Sequence, residues 1–596
     1  MLMNVSPQSI QRFVDKAFAA ARPDTTAIAQ SGISLSWAEL EAKTRAVASQ
    51  LAAASLGRGD RIAVLTHDRV AMIVSMLAIF RAGAVFVPFD AAYPRDQLVK
   101  MCRVARPSAM ISDDSCSEEE KATIGAGIDT RFSLSDIPPN AELSRDIEQS
   151  QPDDPAYIYF TSGTTGTPKA ILGRSGGLVH FIEWEVTSLD LPTGIRVGQT
   201  TTPGHDPFLR DILVPVILGG TIMIPADRNT ILVPRDLVDW VSKSGANLLH
   251  TTPTIFRNLC GGQVRTEDAS ALRWLLIAGE KLHAADVRNW YRQFGQRAEL
   301  YNLYGPTETT LAKFCHKISE NDLGELVLPI GRPISETEFA ILDETGAPCS
   351  PGTVGELEIQ TRHASLGYFN SDDQGGFRFY DGDPIVRYRT GDFVSQRTDG
   401  TLDFVGRRDR QVKLLGERIE LSEIEAAILA ATPIRSCHVV VARGPSNVDK
   451  LVAFYLDEGF EPGTIDRSAL ADSLAPARIP RRFIPLGAFP MTANGKMDEA
   501  ILLRMAIAPE VDTGPADATG TEDAVLTQRL VEIWQSILSH ENFGKDDAFM
   551  SVGGDSMTIM QLVMQVEENF GYELSLWEVF EDLTIAKLAQ LIEEAG

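Results

Sequence analysis

Tyr157-Ile158-Tyr159-Phe160-Thr161-Ser162-Gly163-Thr164-Thr165-Gly166-Thr167-Pro168-Lys169 is the stretch on which the fold of this chain turns. Its first half is aromatic and apolar, the pattern of a short buried strand. Its second half replaces side-chain bulk with glycine and hydroxyl groups and ends on a cation. Glycines let backbone N–H groups converge on phosphate oxygens, the Ser and Thr hydroxyls add donors, and Lys169 adds a point charge. Gly163 and Gly166 are misplaced relative to Lys169 for a Walker loop, so the segment reads as a phosphate loop of another kind.

Outward from this loop, residues of about 10 to 400 alternate helix-like periods with short apolar runs, among them Arg61–Leu65, Ala84–Pro88, Thr221–Ile224 and Trp274–Ala278. That alternation predicts α/β layers with largely parallel strands buried on both faces. After Gly406 the pattern changes to a smaller α+β unit, with a helix opening at Leu421 and a strand at His438–Ala442. Residues 508–521 have linker composition, small, polar and rich in Pro and Gly. Beyond them, apolar residues recur at helical spacing in Leu526–Leu538, Met557–Phe570 and Ile585–Ile592, which predicts a compact helical bundle.

The 596 residues carry a formal charge of −26. Residues 522–596 hold 15 acidic and 3 basic side chains, so nearly half of the excess sits in the last eighth of the chain. Such a balance argues against non-specific nucleic-acid binding, which needs Lys and Arg to replace counterions on phosphate. It leaves room for a small anionic ligand held by local positive groups. The six cysteines, Cys102, Cys116, Cys260, Cys315, Cys349 and Cys437, form no CxxC pair and read as reduced thiols. Arg12, Asp15 and Lys16 interrupt the start, no apolar stretch is long enough to span a membrane, and the expectation is a cytoplasmic protein without a membrane partner.

Further motifs stand in a fixed order, Phe80–Pro88 before the loop and, after it, Asn302-Leu303-Tyr304-Gly305-Pro306-Thr307-Glu308, Gly355-Glu356-Leu357, Tyr388-Arg389-Thr390-Gly391-Asp392, Gly406-Arg407-Arg408-Asp409, Gln411–Glu420 and Asn494-Gly495-Lys496. Together with the 161–169 loop they resemble the adenylate-forming superfamily, and are most similar to the adenylation domains of nonribosomal peptide synthetases. The tail resembles a peptidyl carrier, through Asp547-Ala548-Phe549 and Gly553-Gly554-Asp555-Ser556. The resemblance implies a large adenylation subdomain over 1–408, a small mobile subdomain over 409–507, a linker over 508–521 and a four-helix carrier over 522–596. Two departures stand out: Ala170 replaces the usual glycine after the loop lysine, and Leu474–Pro480 matches its family motif only loosely.

In that family a carboxylic acid and ATP form an acyl-adenylate with loss of pyrophosphate, and a thiol captures the acyl group. Carried over residue by residue, the resemblance assigns Thr161, Ser162, Gly163, Thr164, Thr165, Gly166 and Lys169 to the ATP phosphates, and Glu308 to the Mg²⁺ that neutralises them. Asn302, Tyr304, Gly305 and Thr307 would line the nucleotide site, Asp392 would accept from the ribose hydroxyls, and Arg407 would lie near ribose and phosphates. Lys496 would bridge the substrate carboxylate and the ribose, Asp409 would be the hinge of the small subdomain, and Gly416 would belong to the loop used for thioester formation. Ser556 would carry 4'-phosphopantetheine, attached by a separate phosphopantetheinyl transferase.

Asp206 sits where members activating α-amino acids keep the aspartate for the substrate ammonium, so an amino acid is the expected substrate. The aligned pocket is Asp206, Pro207, Arg210, His250, Leu276, Ala278, Leu303, Leu311 and Ala312. Its Asp-Pro…Arg…His part is similar to α-aminoadipate-activating reductases, where a cation meets a side-chain carboxylate. Two readings stand side by side: Arg210 receives an acidic or strongly polar side chain, or Arg210 pairs with Asp211 or another neighbour and leaves a Leu/Ala pocket for an apolar side chain.

The resulting expectation is an adenylation–carrier didomain that loads an amino acid for nonribosomal peptide or related biosynthesis. A downstream condensation or tailoring enzyme would take the thioester, unless the chain is part of a longer synthetase. A coenzyme A ligase, or a carrier docking module with a decayed adenylation domain, are the alternatives. The joint presence of Lys169, Glu308, Asp392 and Lys496 argues against decay.

Overall fold

The computed structural model describes residues 8–91, 93–138, 147–161, 168–260, 269–407, 411–414, 417–432, 434, 436–443, 449–456, 470–471, 473–475, 478–486, 489–490, 499–507, 522–538, 543–545, 547, 549, 552, 556–570, 572, 574 and 583–595. The chain divides into two compact units, Met1–Glu423 and Ile424–Gly596.

In the first unit, six strands form a sheet in the order Thr130–Ser133, Ala109–Ser112, Arg61–Thr66, Val85–Asp90, Pro155–Thr161, Lys169–Arg174. The first five run parallel. Val85–Asp90 is buried at every position, as expected of a strand covered on both faces. The helix Arg69–Arg81 opens on Asp68, whose carboxylate accepts from the N–H groups of Val70 and Ala71. All its residues from Met72 to Phe80 are buried, so it is wedged inside the unit and does not ride on its surface.

The opening stretch ends this sheet. Pro155–Thr161 pairs antiparallel with Lys169–Arg174, and Thr161 stands opposite Lys169. The glycine and hydroxyl run between them therefore connects the two arms of a hairpin. On the far side of Lys169–Arg174 runs the segment 366–369. Leu366 N–H donates to Leu172 O at 2.7 Å, Leu172 N–H to Gly367 O at 3.0 Å, and Phe369 N–H to Ala170 O at 2.8 Å.

A second, nine-stranded sheet carries the strands Leu248–Thr251, Trp274–Ala278 and Glu299–Tyr304 side by side and parallel. The aligned ends of these strands position the next site. Residues 338–407 depart from the parallel pattern expected of the first 400. Glu338–Leu342, Gly355–Thr361, Phe377–Arg378, Val386–Gln396 and Leu402–Arg407 form a fully antiparallel sheet. Val386–Gln396 alternates buried and half-buried residues, the signature of a sheet with only one packed face.

In the second unit, Cys437–Arg443 and Asp449–Leu456 pair antiparallel, and Arg482–Leu486 adds in parallel. The carrier region shows the helices Glu522–Leu538, Ser556–Phe570 and Ile585–Ala595. They close on one core in which the Trp534 ring meets Phe549 edge-on, with centroids 4.7 Å apart, beside Leu530, Leu562, Val566 and Leu588. Each such buried side chain contributes roughly 1.5–3 kcal/mol of transfer free energy. The expected linker over 508–521 lies outside the described residues.

Candidate functional site

Tyr304 ends the strand Glu299–Tyr304, Asp392 lies inside Val386–Gln396, and Arg407 ends Leu402–Arg407. The antiparallel pairing sets Asp392 directly across from Arg407. The Tyr304 hydroxyl donates to Asp392 Oδ2 and the Arg407 guanidinium donates to Asp392 Oδ1, so both carboxylate oxygens are engaged. Burial and the neighbouring Asp392 charge push the Tyr304 phenol well above its ordinary range and keep it a proton donor. Asn302 is buried and its amide donates to Pro329 O at 2.7 Å, which anchors the strand beneath Tyr304. Gly305 allows the chain to turn back on itself: a Cβ there would stand 2.6 Å from Ala312 Cα and from Leu311 O.

Glu308 lies in the tight turn Thr307–Thr309 and is fully buried. Its backbone carbonyl accepts from Ser365 N at 3.0 Å and Ser365 Oγ at 2.7 Å. Its Oε1 accepts from the Tyr368 hydroxyl at 2.7 Å. Lys169 Nζ stands 5.2 Å from the centre of the same tyrosine ring and 3.6 Å from Asp373 Oδ2. The phosphate-loop lysine and the buried carboxylate thus meet on one side chain. A buried carboxylate oxygen that shares Tyr368 with Lys169 is a donor of the type a hard cation such as Mg²⁺ takes. By contrast, the imidazoles of His180 and His363 stack 3.7 Å apart and within 4° of parallel. With Glu336 they bring ligand atoms within 4.8 Å of one another, and His363 Nε2 already bonds Glu336 Oε2 at 3.1 Å.

Asp206 precedes the helix Pro207–Ile217, with Pro207 at its first position. Burial raises its carboxyl above the usual range, opposed by the Thr307 hydroxyl and by the charges of His205 and Arg210. One turn along, Arg210 is 3% exposed and its Nε has no hydrogen-bond partner among the described residues. Asp211 does not pair with it. Asp211 Oδ2 accepts from the N–H groups of Thr200 and Thr201 at 3.2 and 3.0 Å, and Oδ1 bonds His250 Nδ1 at 2.7 Å. His250 reaches Glu185 Oε1 with its other nitrogen at 2.6 Å. Burial works against a charged His250 ring, yet Glu185 and the two hydrogen bonds outweigh it and raise its pKa. Both imidazole nitrogens are therefore committed to carboxylates of the protein. Leu276, Leu303, Leu311 and Ala312 belong to one buried cluster with Phe208, and Ala278 packs against it. Thr310 and Leu311 both take positive φ, 71° and 61°, a conformation that non-glycine residues rarely hold and that concentrates at functional sites.

The structure thus joins Lys169 and Glu308 through Tyr368, and Tyr304 and Arg407 through Asp392. Asp206 lies within reach of the Thr307 hydroxyl and of the Glu308 and Arg210 charges. Ser162, Gly163, Thr164, Thr165, Gly166, Asp409, Gly416 and Lys496 lie outside the described residues. Ser556 is the first residue of the helix Ser556–Phe570. Glu185, Tyr368, Ser365 and Asp373 escape sequence reasoning. Glu185 leaves one trace there, as one of two carboxylates, with Glu183, in the otherwise apolar stretch Phe181–Val186.

Comparison with known proteins agrees with this geometry. The family model for AMP-binding enzymes matches residues 16–369, and that for the phosphopantetheine attachment site matches 528–592. One polypeptide of the linear gramicidin synthase of Brevibacillus parabrevis is 31% identical over 96% of this chain and 11% of its own length. The dimodular nonribosomal peptide synthase of Bacillus subtilis (strain 168) is 31% identical over 98% of this chain and 24% of its own length. The chain therefore spans a minor part of these relatives. A solved NRPS protein containing adenylation and PCP domains, bound to a vinylsulfonamide inhibitor, superposes with a TM-score of 0.82 at 25% identity, covering 99% of this chain and 97% of that one. With its phosphate hairpin, its buried Tyr304–Asp392–Arg407 group and a helix opening on Ser556, the chain belongs to the AMP-binding enzymes and joins to that domain a phosphopantetheine attachment domain, as nonribosomal peptide synthetases do.

Proposed function

We propose that this chain activates an amino acid as its aminoacyl-adenylate and loads it onto its own carrier domain at Ser556. The observation that carries the reading is the union, in one chain, of the adenylating site with the carrier helix that opens on Ser556. In the first step a substrate carboxylate oxygen attacks the α-phosphorus of ATP and pyrophosphate leaves. Lys169 and the loop before it hold the leaving phosphates, Asp392 accepts from the ribose, and Arg407 stays charged beside it. Glu308 is the residue that would hold Mg²⁺, whose charge offsets that of the phosphates. Lys496 is the donor proposed for the substrate carboxylate. Removing a preorganised donor of this kind typically lowers the rate about 10²–10³-fold. 4'-Phosphopantetheine on Ser556 supplies, once attached, the thiol that takes the aminoacyl group as AMP departs. A phosphopantetheinyl transferase and a downstream condensation or tailoring enzyme are the partners this function calls for.

The substrate reading rests on Asp206 and Arg210. Asp206 receives the α-ammonium group, and Arg210, buried and without an ion-pair partner among the described residues, receives an acidic side chain. Leu276, Ala278, Leu303, Leu311 and Ala312 pack along the methylenes between the two charges, and Pro207 and His250 hold the wall behind Arg210. An ATP–pyrophosphate exchange panel with aminoadipate, Glu, Asp, Leu, Val and aromatic amino acids tests this; exchange with leucine and none with acidic substrates sinks the Arg210 assignment. Intact-mass measurement after phosphopantetheinylation, ATP and substrate tests the loading step. A coenzyme A ligase would leave the carrier unloaded and release an acyl-CoA.

A further inference from the structure

Tyr368 touches both ends of the phosphate-handling apparatus. Its hydroxyl donates to Glu308 Oε1 at 2.7 Å, and its ring face lies under Lys169 Nζ at 5.2 Å. Glu308 and Lys169 come from different elements, the turn Thr307–Thr309 and the second arm of the hairpin, and this one side chain reaches both. Its own position is fixed from several directions. Tyr368 N–H donates to Gln374 Oε1 at 2.9 Å, and Gln374 Nε2 donates back to Tyr368 O at 3.1 Å. The backbone bridges to Ile171, inside the strand that begins at Lys169. Phe377 packs edge-on against the ring, with centroids 5.4 Å apart. Two residues before the Gly367–Tyr368 pair, Ser365 holds the Glu308 backbone carbonyl. One short segment therefore secures Glu308 at its backbone and at its carboxylate, and borders the lysine strand as well.

We propose that Tyr368 is a positioning residue that sets Glu308 and Lys169 in register for the metal–nucleotide complex. The inference rests on the function proposed above. The hydroxyl fixes the rotation of the Glu308 carboxylate, so an arriving cation meets an oriented ligand and none of its binding energy is lost to ordering it. The electron-rich ring face holds the ammonium group near the loop without neutralising it, which a carboxylate in the same place would do. Asp373, exposed and 3.6 Å from Lys169, is the weaker alternative partner, released when phosphate arrives.

The test uses the full chain, Mn²⁺ as an EPR-visible cation and a non-hydrolysable ATP analogue. Wild type is expected to bind Mn²⁺ tightly only with the analogue present. Failure of that control would count against the proposed function and not against Tyr368. Tyr368→Phe keeps the ring and its packing and removes only the hydroxyl. It is expected to raise the Kd for Mn²⁺ about 10–100-fold, the range seen when the hydrogen-bond partner of a metal ligand is lost. Its affinity for the analogue without metal should not change. Tyr368→Leu removes the ring as well, and is expected to weaken analogue binding even without metal. On a Glu308→Gln background, where no carboxylate remains to be oriented, Tyr368→Phe should shift Mn²⁺ affinity less than about threefold. Unchanged Mn²⁺ affinity in Tyr368→Phe, with or without a lower melting temperature, assigns the residue to packing alone and overturns the proposal. An equal shift on the Glu308→Gln background overturns it too.

Discussion

Two arginines of this protein are both withdrawn from water and differ in what they face. Arg407 donates to Asp392, which also accepts from Tyr304, so its charge is answered inside the fold. Arg210 is 3% exposed, its Nε has no partner, and among the described residues no carboxylate lies within ion-pair distance of it. Taking a guanidinium out of water costs several kcal/mol unless an anion repays it. At Arg407 the protein makes that repayment; at Arg210 the proposed function assigns it to the substrate side chain. Under the proposed function, the first arrangement suits a constant cosubstrate and the second suits selection among amino acids.

Breaking the answered pair gives the largest expected effect. Asp392→Ala leaves a guanidinium and a phenol hydroxyl buried without their acceptor, a change that costs about 3–5 kcal/mol for a broken buried pair. Pyrophosphate exchange should fall about 10²–10³-fold, and the melting temperature should fall with it. An enzyme that loses activity with its stability intact would show that the trio is used by ligand alone. Arg210→Leu is expected to do the reverse. It removes an unanswered charge, so the melting temperature should hold or rise. Exchange with an acidic amino acid should fall about 10²-fold, the value of a charged hydrogen-bond pair of roughly 1.5–3 kcal/mol, with leucine gaining. A loss of several degrees in melting temperature would show that Arg210 is structural.

Lys313 sharpens the contrast because an amine can do what a guanidinium cannot. It is fully buried, its ammonium group has no hydrogen-bond partner among the described residues, and burial pulls its pKa down to about 7. It escapes the predicament of Arg210 by shedding its proton. Between about 7 and its ordinary value of 10.5 the unfolded chain binds more protons than the folded one, so stability rises with pH across that window and is flat below it. Lys313→Met is expected to raise the melting temperature most at pH 7 and below, by roughly 5 °C, with the gap closing toward pH 10. Thermal unfolding of both proteins across that range is the measurement, and a gap independent of pH would place the charge elsewhere.

Much of this site is legible in the sequence because it is local. The phosphate hairpin, the strand ending in Tyr304, the turn bearing Glu308 and the helix opening on Ser556 each announce themselves within a dozen residues, through glycine, hydroxyl and apolar spacing. The long-range pairings do not. Glu185 meets His250 from 65 positions away and Tyr368 meets Glu308 from 60, and neither partner carries a pattern that names the other. His250 aligns with the pocket, yet its two nitrogens are taken by Asp211 and Glu185, a fact only the packing of helix on sheet reveals. The antiparallel sheet of 338–407 is hidden for a related reason. Its strands alternate in burial, but short turns and scattered charges break the alternation into fragments too brief to separate from the parallel strands before them.

The smallest expected effect comes from a hydroxyl in the same condition as Arg210 but without its charge. Tyr159 is 2% exposed, its hydroxyl has no hydrogen-bond partner among the described residues, and burial together with the charge of Asp206 holds its phenol well above the ordinary range. A neutral donor left unsatisfied costs far less than a cation, and removing it with no change of ring volume removes that cost as well. Tyr159→Phe should therefore change stability by less than about 0.5 kcal/mol, in the stabilising direction if at all. Its exchange rate decides what the hydroxyl is for. Because Asp206 is the group nearest to it in charge, a hydroxyl that serves the bound ammonium end would raise the KM for every amino acid alike, acidic or apolar. Arg210→Leu, in contrast, separates acidic from apolar substrates. A Tyr159→Phe enzyme with wild-type KM across the panel would leave the side-chain end of the pocket resting on Arg210 alone.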